Sequence, residues 1–173
     1  MNVLLSSRKN LPSSTTSTTI PGRTPFTEVL QTSTVIVITC PLIPETINLI
    51  SHPEFSLMRP DALLINVARG GIVNEEALVD ALKQARLKGT ATDVFVEEPA
   101  GEANSVLLRE LKKSPGGDAE LEGRVVVSPH VAWYARSSIE KLRRVVGENI
   151  EAWVGREEGK VQFVGLGEFP AYN

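Results

Sequence analysis

Three short segments of this 173-residue chain carry side chains suited to acid–base chemistry and to binding a carboxylate. The segments are residues 66–73 with Arg69, residues 93–99 with Glu98, and residues 128–133 with His130. An arginine can hold a carboxylate in a two-pronged grip, and a histidine can transfer a proton near neutral pH. A carboxylate behind the histidine would orient the ring and stabilise its charged form. This set suits the reversible oxidation of a 2-hydroxy acid by a nicotinamide.

Each of these residues also has a purely structural interpretation. Arg69 precedes two glycines and could pair with a carboxylate at a turn. Glu98 could be a solvated loop acid, and His130, after a proline, could be a satisfied structural histidine. Their shared position at the ends of three successive predicted strands favours a common site.

Apolar, mostly β-branched runs predict the strands that would bring the three segments together. The predicted strands are residues 1–7, 34–39, 62–67, 90–95 and 124–128. Unbroken apolar strands are typical of a parallel sheet that is buried on both faces. Open α/β sheets bind their ligands at the carboxyl ends of such strands, where Arg69, Glu98 and His130 are expected.

Helices are predicted between the strands. Short helices are expected at residues 44–50, 52–58 and 105–111, and Asn74 is expected to cap a helix that Gly89 ends. A final helix is expected from Ser137 or Ser138. Its apolar stripe is Ile139, Leu142, Val146, Ile150 and Trp153. The alternation predicts the α/β class: a doubly wound, Rossmann-like parallel sheet with helices on both faces.

Composition excludes several other classes of protein. A net charge of −3 gives no reason to expect nucleic acid as a partner. The apolar runs are strand-sized, so no membrane span is expected. A single cysteine, Cys40, fits a reducing compartment and hence a cytoplasmic location. With two histidines beside it, the chain has too few soft ligands for a structural zinc site, and no metal is expected.

Four linked motifs carry a resemblance to a known family. They are Cys-Pro-Leu-Ile-Pro-Glu-Thr at residues 40–46, the arginine segment at residues 58–73, Asp93-Val-Phe followed by Glu98-Pro99, and Ser128-Pro-His130. In this order and spacing the chain resembles the later part of the nucleotide-binding domain of the D-isomer-specific 2-hydroxyacid dehydrogenases. The resemblance covers about residues 1–153.

The resemblance implies roles for particular residues. Arg69 would bind the substrate carboxylate, His130 would be the acid or base, and Glu98 would be its partner. The residues that would line NAD or NADP are Cys40, Pro41, Val67, Ala68, Arg69, Asp93, His130 and Ala132, with Asp93 beside the nicotinamide amide. The substrate would be a small 2-hydroxy or 2-oxo acid, and the intact family member would be a homodimer. Ala132-Trp133 resembles the glycerate, glyoxylate and hydroxypyruvate reductase branch.

The end of the first predicted strand bears on the choice of cofactor. NAD-dependent relatives carry an acid there, whereas this chain has Ser7 followed by Arg8 and Lys9. A serine and two cations would suit the extra phosphate of NADP, so NADP is favoured. A strand that ends in ordinary surface charges is the equal alternative.

The phosphate-binding motif Gly-x-Gly-x-x-Gly does not occur in the sequence. The family places it after the first strand of the domain, upstream of the segment that residues 1–7 resemble. We therefore expect a partial dinucleotide-binding domain at residues 1–155, a tail at residues 156–173 and no substrate domain. In the strand order 3-2-1-4-5-6, the strands at residues 1–7 and 34–39 would be numbers 2 and 3. A gap would then separate both of them from the strand at residues 62–67.

Three hypotheses about function follow. The first is an oxidoreductase that is inactive as this isolated chain. The second is a non-catalytic binding module, since some relatives of the family serve as transcriptional co-repressors, and the third is a non-functional gene fragment. The filled positions at Arg69, Glu98 and His130 favour catalytic ancestry.

Overall fold

The chain divides into two compact units, Met1–Val131 and Ala132–Asn173. The computed structural model describes residues 2–9, 21–113, 121 and 123–155. The predicted tail at residues 156–173 lies outside the described residues.

A four-stranded parallel sheet forms the centre of the first unit. Its strands are β1 (Val35–Ile38), β2 (Leu63–Asn66), β3 (Gly89–Thr92) and β4 (Val125–Val127), and they pair in that order. Val35 pairs with Leu63 and Leu63 with Gly89, while Thr90 pairs with Val125. The predicted Rossmann-like parallel sheet is therefore confirmed.

The predicted gap between the strand at residues 34–39 and the strand at residues 62–67 is wrong. β1 pairs directly with β2 along its whole length, from Val35 with Leu63 to Ile38 with Asn66. The helical connection between them is a crossover between neighbouring parallel strands, which is the common arrangement. Within the described residues, the two edge strands of the sheet are therefore β1 and β4.

The predicted strand at residues 1–7 is also wrong for the described residues 2–7. This segment makes one isolated bridge, in which the Ser7 N–H donates to Thr24 O and the Thr24 N–H donates to Leu5 O, both at 2.8 Å. Val3 and Leu5 are 66% and 55% exposed. An apolar run forms a buried strand only where another strand pairs with it, and none of the described strands does so here.

Four helices belong to the first unit. They are α1 (Phe26–Thr32), α2 (His52–Leu57), α3 (Glu75–Lys83) and α4 (Val106–Lys112), with a 3₁₀ turn at Pro44–Thr46. The sequence reasoning did not predict α1. As predicted, Asn74 caps α3: its side-chain oxygen accepts from the Ala77 N–H at 2.9 Å.

The expected end of α3 at Gly89 is wrong. The helix ends at Lys83, Ala85 adopts a φ of 53°, and Gly89 is instead the first residue of β3. The Arg124 guanidinium holds the intervening turn by donating to the carbonyls of Leu82 and Lys88, each at 2.9 Å, and to that of Leu87. A contact from Arg124, which directly precedes β4, thus holds the turn that follows this helix.

One face of the sheet packs into the apolar core. Ile36, Ile38 and Leu64 are buried there with the side chains of α2, α3 and α4. On the opposite face Val35 and Val37 remain 50% and 52% exposed, and Leu63 and Val126 are exposed as well. The expectation that these strands are buried on both faces is therefore wrong within the first unit.

The second unit contains the long helix α5 (Arg136–Val154), which starts close to the predicted position. Its N-terminal flanking residue, Ala135, provides no side-chain cap. Ion pairs one turn apart line its surface, between Arg136 and Glu140 and between Arg144 and Glu148. Among the helices of the described residues, none has both the length and the apolar character needed to cross a membrane.

Candidate active site

The loop after β2 presents Arg69. Asn66, the last residue of the strand, is buried, and its side-chain oxygen accepts from the Ala68 N–H at 3.1 Å. Its amide nitrogen donates to the Arg69 carbonyl at 3.0 Å. The Arg69 side chain is exposed, and its guanidinium donates to the Ala68 carbonyl at 2.6 Å. The buried Asn66 side chain thus fixes the backbone of this loop. The Arg69 guanidinium stays at the surface, where it can bind an anion.

Glu98 and His130 form a pair across the loops that follow β3 and β4. Glu98 Oε2 lies 2.7 Å from His130 Nδ1. The other oxygen, Oε1, accepts from the Phe95 N–H at 3.0 Å. The hydrogen bond from the Phe95 N–H lowers the pKa of Glu98 below its ordinary value, and the hydrogen bond with His130 is the second cause. The carboxylate is therefore charged at neutral pH and can stabilise a protonated imidazole.

Asp93 fixes the backbone that carries His130. His130 has a φ of 55°, and its N–H donates to the Asp93 carbonyl at 2.8 Å. The buried Asp93 carboxylate accepts from the Val131 N–H at 2.9 Å and from the Ser128 hydroxyl at 2.5 Å. These bonds hold the backbone on both sides of His130, whose φ lies in the left-handed region. A place for Asp93 beside a nicotinamide amide stays a prediction.

The loop after β1 is tied to the arginine loop. The Thr46 hydroxyl accepts from the Ile43 N–H and donates to the Pro41 carbonyl, both at 2.8 Å, which closes the turn. The Asn48 N–H donates to the Gly71 carbonyl at 2.8 Å, so the two loops are linked through their backbones. Cys40 lies half-buried before this turn, and burial raises the pKa of its thiol. The thiol is therefore neutral at physiological pH.

The other residues predicted to contact the cofactor are distributed more widely. Val67 is 45% exposed and Ala68 is buried, both next to Arg69. Ser7 is held by its backbone bond to Thr24, and Arg8 is exposed. Ala132 begins the second unit.

Lys9 contributes less to a phosphate site than its position in the sequence suggests. Its ammonium lies 2.8 Å from Oε1 of the buried Glu54 and donates to the Leu49 carbonyl at 3.3 Å. Its charge is thus already paired within the fold. This leaves Arg8 as the exposed cation beside Ser7.

The residues present fit one end of a dinucleotide. Val67 offers an exposed apolar surface at the carboxyl end of β2, next to Arg69 and on the edge where the Glu98–His130 pair lies. Such a surface can support a nicotinamide ring beside the groups that would transfer the substrate proton. The Gly-rich loop that would hold the pyrophosphate has no counterpart in the sequence. In the described residues, no group of three or more His, Cys, Asp or Glu side chains is arranged to hold a metal ion.

Asn66, Thr46 and Ser128 were not predicted, although each shapes the site. A signal was available for Asn66 and Ser128, because they are small polar residues at or just after the end of an apolar run. Such residues bond the backbone where a strand turns into a loop.

The fold and the site together define a Rossmann-like nucleotide-binding unit with an arginine and a carboxylate–histidine pair at one sheet edge. Residues 1–132 match the family described as D-isomer specific 2-hydroxyacid dehydrogenase, NAD binding domain. The chain belongs to this family.

Relatives of known name support this assignment. The chain is 37% identical to the glycerate dehydrogenase of Methylorubrum extorquens over 136 residues, which are 79% of this chain and 39% of that protein. It is 32% identical to the glyoxylate reductase of Thermococcus gammatolerans over 77% of this chain and 36% of that protein. The D-lactate dehydrogenase of Lactobacillus jensenii, solved with NAD⁺, is similar with a TM-score of 0.64 and 26% identity. That similarity covers 79% of this chain and 42% of the other. The chain thus spans about two fifths of the length of these relatives.

Proposed function

We propose that this chain carries the catalytic edge of an NAD(P)-dependent oxidoreductase acting on a small D-2-hydroxy or 2-oxo acid. The observation that carries the proposal is the 2.7 Å contact between His130 Nδ1 and a Glu98 carboxylate that Phe95 holds in place. Arg69 follows the neighbouring strand of the same sheet. Family membership supports the same reaction class.

In this proposal each of the three side chains has one task. The Arg69 guanidinium binds the substrate carboxylate and fixes the orientation of C2. In the oxidation direction, His130 Nε2 accepts the proton of the 2-hydroxyl group, and the Glu98 charge stabilises the resulting imidazolium. In the reduction direction, the same nitrogen returns the proton to the carbonyl oxygen. The nicotinamide, when bound, accepts or supplies the hydride at C2.

We propose that the nicotinamide end of the cofactor is held by the residues that end β1, β2 and β3. These are Cys40, Pro41, Val67, Ala68 and Asp93, with Arg69, His130 and Ala132 close by in sequence. We propose that the cofactor is NADP rather than NAD, because Ser7 and the exposed Arg8 could bind its extra phosphate. Lys9 is left out of this phosphate site, because its ammonium is paired with Glu54. One similar solved structure contains NAD and another, an acyclic imino acid reductase, contains NADPH.

The wider architecture is part of the proposal. Residues 1–155 would act as part of a dinucleotide-binding domain and residues 156–173 as a tail. The intact assembly would be a cytoplasmic homodimer. The 173-residue chain by itself would show no measurable turnover, because its sequence holds no Gly-x-Gly-x-x-Gly motif for the pyrophosphate.

A chimera tests the catalytic assignment. Residues 1–132 would replace the matched segment of the Methylorubrum glycerate dehydrogenase, which supplies the remaining parts of that enzyme. We expect glycerate oxidation, and we expect His130→Ala to lower kcat by about 10²–10⁴-fold, as loss of a positioned acid or base does. Arg69→Ala should mainly raise KM. His52→Ala is the matched control, because His52 is exposed on α2.

Three outcomes would contradict the proposal. Full turnover by the His130→Ala chimera would remove the acid–base assignment. A folded chimera that binds the dinucleotide but does not turn over would favour the non-catalytic binding module. A folded chimera that neither turns over nor binds the cofactor would favour the hypothesis of a non-functional gene fragment.

A further inference from the structure

Gly70 lies where the arginine loop touches the loop that carries Glu98. A Cβ atom built on Gly70 would lie 1.9 Å from the carbonyl carbon of Phe95, 2.0 Å from its oxygen and 2.4 Å from the nitrogen of Val96. All three are backbone atoms, so they cannot rotate away as a side chain can. The two loops are therefore in direct backbone contact at a position where only glycine fits.

This contact joins the two halves of the candidate site. On one side Gly70 is bonded to Arg69. On the other side it touches the carbonyl group of Phe95, and the N–H of this same residue donates to Glu98 Oε1 at 3.0 Å. Glu98 in turn holds His130 Nδ1 at 2.7 Å. A shift at Gly70 would thus reach the carboxylate–histidine pair through the backbone of one residue, Phe95.

The arginine loop cannot relieve pressure by retreating. Asn66 bonds both Ala68 and Arg69 through its side chain, and the Asn48 N–H donates to the Gly71 carbonyl. Added volume at Gly70 must therefore displace the Phe95–Val96 peptide. Ordinary contact begins at 3.4 Å, so the two backbones would have to separate by on the order of 1 Å or more. A misplacement of about 1 Å can cost about 10²-fold in rate.

We propose that Gly70 is a positioning residue whose backbone contact with Phe95 and Val96 sets the separation between Arg69 and the Glu98–His130 pair. The proposal rests on the proposed function, in which that separation must match a 2-hydroxy acid. It assigns Gly70 no contact with substrate or cofactor.

The neighbouring glycine provides a matched control. Gly71 has a φ of 82°, so an alanine there strains the same loop. A Cβ on Gly71 would meet only the Leu42 side chain, at 3.8 Å, and would not press on Phe95. Gly70→Ala and Gly71→Ala thus both disturb the loop, but only the first presses on the carbonyl group of Phe95, the residue whose N–H anchors Glu98.

The test is an NMR titration of the Glu98 carboxyl carbon in the full 173-residue chain. In the unchanged chain the hydrogen bond from the Phe95 N–H and the interaction with His130 lower the pKa of Glu98, against the opposing effects of burial and of the Asp93 charge. Gly70→Ala should raise this pKa toward its ordinary value of 4.5, while Gly71→Ala should leave it lowered. In the chimera, Gly70→Ala should reduce kcat/KM by about 10²-fold and by more than Gly71→Ala does.

The two readouts separate the two proposals. A chimera that is inactive with the unchanged sequence would contradict the proposed function, while the titration would still decide the role of Gly70. A folded Gly70→Ala chain with an unchanged Glu98 titration would overturn the positioning role. Failure of Gly70→Ala to fold, with Gly71→Ala folded, would also count against it, because the contact would then serve the fold rather than the placement of Glu98.

Discussion

Helices α3 and α5 have similar patterns in the sequence, but they are buried very differently. Both carry apolar residues at spacings of three and four. In α3, five of the nine residues are buried: Ala77, Leu78, Val79, Ala81 and Leu82. In α5, only Val145 and Ala152 of the nineteen residues are buried.

The difference shows what an apolar stripe does and does not encode. On α5 the stripe residues Leu142 and Ile150 are each 59% exposed, and Trp153 is 76% exposed. One face of the sheet in the first unit is exposed in the same way, at Val35 and Val37. The periodicity determines that a helix forms and which of its faces is apolar. Whether that face is covered depends on parts of the protein that lie elsewhere in the sequence.

The largest expected effect is a difference between two leucine-to-alanine substitutions. Leu82 in α3 has no exposed surface, so Leu82→Ala should lower the free energy of unfolding by about 2–5 kcal/mol. Leu142 in α5 is 59% exposed, so Leu142→Ala should change it by less than about 0.5 kcal/mol. Urea denaturation of the three chains measures both values. Equal losses would mean that the α5 stripe is covered in solution, and the comparison would fail.

The start of each helix gives a second, smaller contrast. The Asn74 side chain caps α3, so Asn74→Ala should cost about 1 kcal/mol of stability in the same denaturation experiment. Ala135 precedes α5 with extended backbone angles and provides no side-chain bond. Ala135→Ser should therefore slow amide hydrogen exchange in the first turn of α5. No change at Ala135, together with a full loss at Asn74, would show that the first turn of α5 is already held by other contacts.

The parts of the fold that depend on local sequence were predictable. The β-branched runs gave the four strands of the sheet, and Asn74 marked the start of α3. The pairing of β1 with β2 was not, because strand order depends on which strands are neighbours in space. The end of α3 was missed for the same reason, since the turn after it is held by the guanidinium of Arg124, a residue about 40 positions later in the chain.

The candidate site divides along the same line. That Glu98 and His130 would meet followed from the rule that neighbouring parallel strands end at one edge, and their side chains are in contact. Their catalytic roles stay predictions. The importance of Gly70 was not visible in the sequence, because it depends on the backbone of Phe95, which approaches only in the folded chain.

The smallest expected effect compares an ion-pair network between helices with an ion pair inside one helix. Glu110 in α4 accepts from Lys83 of α3 at 2.7 Å and from Lys113 at 2.6 Å, and these two lysines lower the pKa of Glu110 to about 2. The charged network stabilises the folded chain fully above pH 4.5, the ordinary pKa of the group. The stabilisation is lost as the pH falls from 4.5 to about 2, because the unfolded state takes up a proton at a higher pH than the folded state does.

The difference in unfolding free energy between the unchanged chain and Glu110→Gln should therefore be constant above pH 5 and disappear by about pH 2, as measured by urea denaturation across this range. Glu148→Gln, which breaks the pair with Arg144 one turn away in α5, should cost less than about 0.5 kcal/mol at neutral pH. A pH-independent Glu110→Gln difference would mean that the two lysines do not hold this carboxylate in solution, and α3 would then differ from α5 in its apolar contacts and its Asn74 cap but not in its ion pairs.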